Sequence, residues 1–120
     1  MTLTAKDFME ALKSSEASRD ASPVASLFAP DAELSNLSMS KSGEDGAREF
    51  WRIYLEQFES IQSDFSQVIE ADGNFALQWT SEGELKDGKS VKYRGVSLVQ
   101  TEEGKVVKFD AYYDTTPFKS

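Results

Sequence analysis

The chain has 120 residues, 39% of them hydrophobic and 12% aromatic, with a formal net charge of −8 and neither cysteine nor histidine. Such a length holds one core and such a composition lies outside the disordered range, so one domain over residues 1–120 is expected. The missing residue types exclude disulfides, thiolate nucleophiles, imidazole proton shuttles and the usual zinc ligands, and the negative charge disfavours nucleic acid.

Asp, Glu, Tyr, Lys and Arg are then left for any acid–base chemistry. No run approaches the roughly 18 apolar residues of a membrane span. The opening MTLTAKDFMEALKSSEASRD is a polar amphipathic helix rather than an apolar leader. The expected setting is cytoplasmic, with no membrane partner.

Along residues 3–17, Phe8, Met9, Ala11 and Leu12 recur at helical spacing, and Thr4 with Asp7 reads as a capping box. Ser22 reads as the cap of a short second helix with Pro23 at its first position, carrying Val24, Leu27 and Phe28 on one face. APDAELSNLSM reads as a turn into a short strand with Ala32, Leu34 and Asn36 on one side, and SKSGEDG reads as a loop. Residues 44–60 form the clearest helix: Ala47, Phe50, Trp51, Tyr54, Leu55 and Phe58 make one stripe.

The period then changes to two. SDFSQVIEA, NFALQWTSEGEL, SVKYRGVSLVQ and VVKFDAYYDTTPF are four strands, joined by turns at DG, KDGK and TEEGK. The order predicts an α+β cone, a strongly curved antiparallel sheet with three helices packed on its concave side. A sheet bent in this way encloses a pocket.

Four segments carry a family resemblance: SLFAPDAEL, SGEDGAREFW, FALQWTSEGELKDGKSV and EEGKVVKFDAYYD. In this order and spacing the chain resembles the SnoaL-like members of the nuclear transport factor 2-like superfamily. That superfamily includes polyketide cyclases, steroid isomerases, epoxide hydrolases, dehydratases and non-catalytic association modules, so the fold alone does not choose a function. The resemblance implies a small, mostly apolar organic ligand or substrate, and a homodimer formed through the sheet.

Laid over this chain, the steroid isomerase pattern puts Phe8 at the oxyanion tyrosine, Asn36 at the base and Val96 at the protonated acid. None of the three can fill its role, which argues against a standard ketosteroid isomerase. A cyclase-type carboxylate falls in the closing strand at Asp110 or Asp114. An epoxide hydrolase arrangement would add Arg94.

Alternation puts Asp110, Tyr112 and Asp114 on one face of that strand. Two placements stay open for Arg94 and these carboxylates, a surface salt bridge or a charged group inside the pocket. The expected site is therefore Asp114, Asp110 and Arg94 for catalysis, with Asp114 at the cavity mouth. The expected pocket lining is Phe8, Leu12, Phe28, Asn36, Trp51, Tyr54, Phe58, Trp79, Val96 and Tyr112. Tyr93 is a further aromatic candidate for the lining, and Asp31, Glu33, Glu44 and Asp45 read as turn and helix-start carboxylates. No metal and no cofactor is called for.

Overall fold

The computed structural model describes residues 2–43 and 45–118. Helix α1 spans Ala5–Ser18 and starts at the expected capping box, where Thr4 Oγ1 accepts from Asp7 N–H and the Asp7 carboxylate accepts from Thr4 N–H, both at 3.1 Å. Its far end is held by Arg19 in a left-handed conformation, with the guanidinium donating to the Phe58 carbonyl. Helix α2, Ser22–Ala25, is a single turn. Its N-cap is Ala21, not Ser22, and two residues before Ser22 the Asp20 Oδ1 accepts from Ser22 N–H. Helix α3 covers Gly46–Glu56. Glu44, read as its start, lies outside the described residues.

Six strands form one sheet in the order β2-β1-β6-β5-β4-β3. They are β1 Phe28–Ser35, β2 Ser40–Ser42, β3 Phe58–Ala71, β4 Asn74–Leu85, β5 Ser90–Glu102 and β6 Lys105–Tyr113. The last four make the expected meander. The expectation of a wholly antiparallel sheet needs correcting, since β1 runs parallel to β6. Strand β2, read as loop, pairs with β1 over three residues. Phe58 begins β3 rather than ending α3, and it is buried in either assignment.

The DG turn between β3 and β4 has positive φ at both Asp72 and Gly73, the geometry that lets a two-residue hairpin follow the strand twist. Register shifts in β3 between Phe58 and Ser60 and between Phe65 and Gln67 mark bulges, which bend a strand and help the sheet curl into a cone. The helices cover the concave side, α1 against β3 and α2, and α3 against β1 and β2.

Two apolar clusters hold the cone together. The larger is a nest of rings in which Phe109 stacks on Phe8 at 5.8 Å and meets Trp51 edge-on at 5.1 Å. Phe8 is fully buried there, and truncating such a ring to alanine typically costs about 3–5 kcal/mol. The smaller cluster joins Leu55, Phe58, Ile61, Trp79, Val91 and Tyr93 at the other end of the sheet. The space between the clusters is not filled.

Candidate functional site

That space is a cavity of about 270 Å³, just below the roughly 300–1,000 Å³ usual for ligand pockets. Strand register sets three rows of inward residues beneath it, from which Ser63, Ser81, Tyr93, Trp79, Tyr113, Ser97 and Ala111 line the floor. Ser63, Ser81 and Tyr93 lie side by side in the first row, and Phe65, Trp79, Gly95 and Tyr113 in the second. Leu77, Ser97 and Ala111 make the third. Gly95 keeps the middle row open: a Cβ there would stand 2.7 Å from Tyr113 Cβ and 2.9 Å from Trp79 Cζ2, and closer still to the Tyr112 carbonyl. From above, Leu12 of α1 and Phe50, Trp51 and Tyr54 of α3 close the cavity. Exposed Ser38, Gln57 and Thr115 rim it.

Among the described residues that line the cavity none carries a charged side chain, and its polar groups are hydroxyls, amides and indole N–H. Trp79 Nε1 donates to Ser97 Oγ at 2.9 Å. Trp51 Nε1 is buried and has no hydrogen-bond partner.

One charged group stands directly behind this wall. Glu16 is 4% exposed and continues the buried stripe of α1, four residues after Leu12 and eight after Phe8. Its carboxylate accepts from Tyr54 Oη at 2.7 Å, Ser63 N at 2.9 Å and Ser63 Oγ at 2.7 Å. Ser63 Oγ in turn lies 2.6 Å from Ser81 Oγ. Burial pushes the Glu16 carboxyl above its ordinary value of 4.5, and the bonds from Ser63 and Tyr54 offset this only in part. Burial likewise raises the phenols of Tyr54 and Tyr93, so both keep their protons and act as donors.

The structure brings together Leu12, Asn36, Trp51, Tyr54 and Trp79 of the expected lining with the further candidate Tyr93, and adds Tyr113. Phe8, Phe28 and Phe58 are core residues packed behind the wall rather than on it. Val96 and Tyr112 face outward, 36% and 53% exposed, because the inward positions of β5 and β6 are Gly95 with Ser97, and Ala111 with Tyr113.

Arg94, Asp110 and Asp114 also lie outside the cavity lining. Arg94 is an exposed outer-face residue opposite Thr80. Asp110 sits opposite Leu98 and not Arg94, and its carboxylate accepts from Ser35 Oγ. Asp114 does follow the cavity rim, but it is exposed and its Oδ1 accepts from Thr116 N–H at 2.9 Å. Among the described residues no cluster of three or more Asp, Glu, His or Cys is arranged to hold a metal, and no helix is long and apolar enough to cross a membrane.

Solved structures with the same fold are numerous. A protein with a ketosteroid isomerase-like fold from Catenulispora acidiphila, in complex with trimethylamine, is 13% identical with a TM-score of 0.83, over 95% of this chain and 90% of that one. TerC co-crystallized with polyporic acid is 20% identical with a TM-score of 0.79, over 94% and 93%. An NTF2-like protein from Anabaena variabilis is 18% identical with a TM-score of 0.83, over 94% and 88%. No curated protein matches the chain. Identities this low establish the fold alone, whereas the SnoaL-like domain family matches directly across residues 5–109. The chain belongs to the SnoaL-like domain family.

Proposed function

We propose that the protein binds a small, uncharged, mostly apolar organic molecule in the cone cavity. The observation that carries this is a cavity of about 270 Å³ walled by aromatic rings from both apolar clusters, with no charged side chain among its described lining residues. Desolvating an anion against such walls, within a chain of net charge −8, is unfavourable. That similar folds were crystallised with trimethylamine and with polyporic acid supports an organic ligand of modest size.

Both tryptophans of the chain, Trp51 and Trp79, line the cavity, so their two indole N–H signals in a nitrogen-15 NMR spectrum report on it. Isopropylbenzene should shift both signals in a saturable way. Ala111→Phe, which fills the floor, should abolish the response while the rest of the spectrum stays folded. No response in the wild-type protein overturns the proposal.

Catalysis is a second function, and one observation favours it: a buried carboxyl of raised pKa joined to cavity hydroxyls is a usual feature of acid–base sites. The acid–base role then falls to Glu16, with Tyr54 as the group that meets the substrate, ahead of Asp110, Asp114 or Arg94. Steroid isomerisation is not supported, since Phe8 lies behind the cavity wall and Val96 on the outer face. The outer face also supports a homodimer: Ile69 of β3, Val96 and Leu98 of β5 and Tyr112 of β6 are large apolar side chains left exposed on it.

A further inference from the structure

We propose that Glu16 sets the hydrogen-bond character of the cavity, so that its protonation hands one hydroxyl hydrogen to a carbonyl-type oxygen of the ligand. The proposal rests on the cavity being the ligand site, and it adds the ligand's polar group and the switch that recognises it.

Counting hydrogens leads there. With Glu16 ionised, Oε1 takes Ser63 N–H and Oε2 takes both the Tyr54 and the Ser63 hydroxyl hydrogens. Ser63 has then committed its only hydroxyl hydrogen, so Ser81 must be the donor in the 2.6 Å contact between the two serines. The Tyr54 and Ser63 hydroxyls then aim at the carboxylate and the Ser81 hydroxyl at Ser63, so none of the three hydrogens faces the cavity.

Adding a proton to Oε2 reverses one of these bonds. If the new O–H points to Tyr54, the phenol hydrogen is released. If it points to Ser63, that hydroxyl turns to Ser81, and the Ser81 hydrogen is released instead. Tyr54, Ser63 and Ser81 all line the cavity, so either route presents one extra donor to it. The phenol of Tyr93 interacts with both Tyr54 and Ser81 and lines the cavity too, so a hydrogen passed to it also stays at the wall. A ketone or similar acceptor oxygen satisfies that donor, whereas a hydrocarbon of the same shape does not.

The surroundings leave this switch electrically simple. Lys13 on α1 is a cation acting on Glu16 and stands 3.9 Å from exposed Asp64 of β3, while Tyr54 approaches from α3 and Tyr93 from β5, and both phenols hold their protons. Facing it from β3 and β4 are the neutral hydroxyls of Ser63 and Ser81, and α2 carries no titratable side chain. The chain has no histidine to titrate near neutrality. The carboxyls of Asp7, Asp20 and Glu49 are held below their ordinary values and stay ionised.

The test compares acetophenone with isopropylbenzene, which share a heavy-atom skeleton and differ by an acceptor oxygen in place of one methyl, using the two tryptophan indole signals from pH 4.5, the ordinary carboxyl value, upward through the folded-state titration of Glu16. Acetophenone should bind about fivefold or more tighter at the acid end, the worth of one net hydrogen bond, while isopropylbenzene stays level. Glu16→Gln should bind acetophenone independently of pH, at least as tightly as the wild type does at the acid end. With its oxygen kept for Ser63 N–H, the glutamine amide offers two N–H donors, toward Tyr54 and Ser63, where the protonated acid offers one O–H, so at least one hydroxyl hydrogen is turned to the cavity at every pH. A pH dependence that survives in Glu16→Gln, or an equal response to both compounds at every pH, overturns the switch and leaves the cavity as a ligand site. If neither compound moves the indole signals, the switch and the cavity proposal fall together.

Discussion

Removing the Glu16 carboxyl altogether should cost the fold more than a buried glutamate ordinarily would. Glu16→Ala leaves the Tyr54 hydroxyl, the Ser63 hydroxyl and the Ser63 N–H without their acceptor. The hydroxyls can turn to each other or to the cavity, but the Ser63 N–H is fixed in β3 and stays unpaired. A buried donor stranded in this way costs about 1–3 kcal/mol, and the void left beside it adds to that. The expected loss is about 2–4 kcal/mol, a large fraction of the roughly 5–15 kcal/mol that stabilises a domain.

Glu16→Gln keeps an oxygen for Ser63 N–H and should stay close to wild type. Urea unfolding of the three proteins measures both effects. The pH dependence has a definite sign. The folded-state carboxyl of Glu16 is raised above 4.5, so its contribution is fully present below that value. It is lost as pH rises from 4.5 through the folded-state pKa, because the unfolded chain gives up the proton first. Glu16→Gln removes that loss. An alanine variant as stable as wild type, or a glutamine variant whose stability falls with pH by as much as the wild type's, would refute the reasoning.

Gly95→Ala should lose about 1–3 kcal/mol in the same unfolding assay, since the added methyl meets Trp79, Tyr113 and the Tyr112 carbonyl across the middle row. Leu98→Lys, on the outer face where Leu98 is 45% exposed, should shift sedimentation from near twice 13.4 kDa toward 13.4 kDa. A wild-type protein that sediments as a monomer removes the dimer. Asp114→Asn should leave the isopropylbenzene response of the indoles unchanged, because Asp114 is exposed and outside the cavity lining; a lost response would return the site to the end of β6.

The elements that fix this architecture are those whose periodicity is visible in the chain. The α3 stripe and the alternation of β4, β5 and β6 follow from side chains three, four or two apart. Alternation also separates Phe109, Ala111 and Tyr113 from Asp110 and Tyr112, and the more apolar set is the one that turned inward. Phe58 misled because it continues the helical spacing of Trp51 and Tyr54, and burial cannot tell the last turn of a helix from the first residue of a strand. The parallel pairing of β1 with β6 joins residues as distant as Ser35 and Asp110, and no local pattern encodes it.

Glu16 is partly legible in the sequence. It falls on the same helical stripe as Phe8 and Leu12, yet a glutamate is ordinarily assigned to solvent, and its partners arrive from α3 and β3. Arg94 and Asp110 share residue types with a catalytic pair, but strand register sets Leu98 opposite Asp110 and Thr80 opposite Arg94.

The most direct test of the cavity as the working site is a crystal of the wild-type protein soaked in bromobenzene, with the bromine located by its anomalous scattering. The account predicts a bromine peak between the Trp51 ring of α3 and the row formed by Trp79, Gly95 and Tyr113. An unoccupied cavity in well-soaked crystals, or bromine found only on the outer face around Val96, Leu98 and Tyr112, would contradict it.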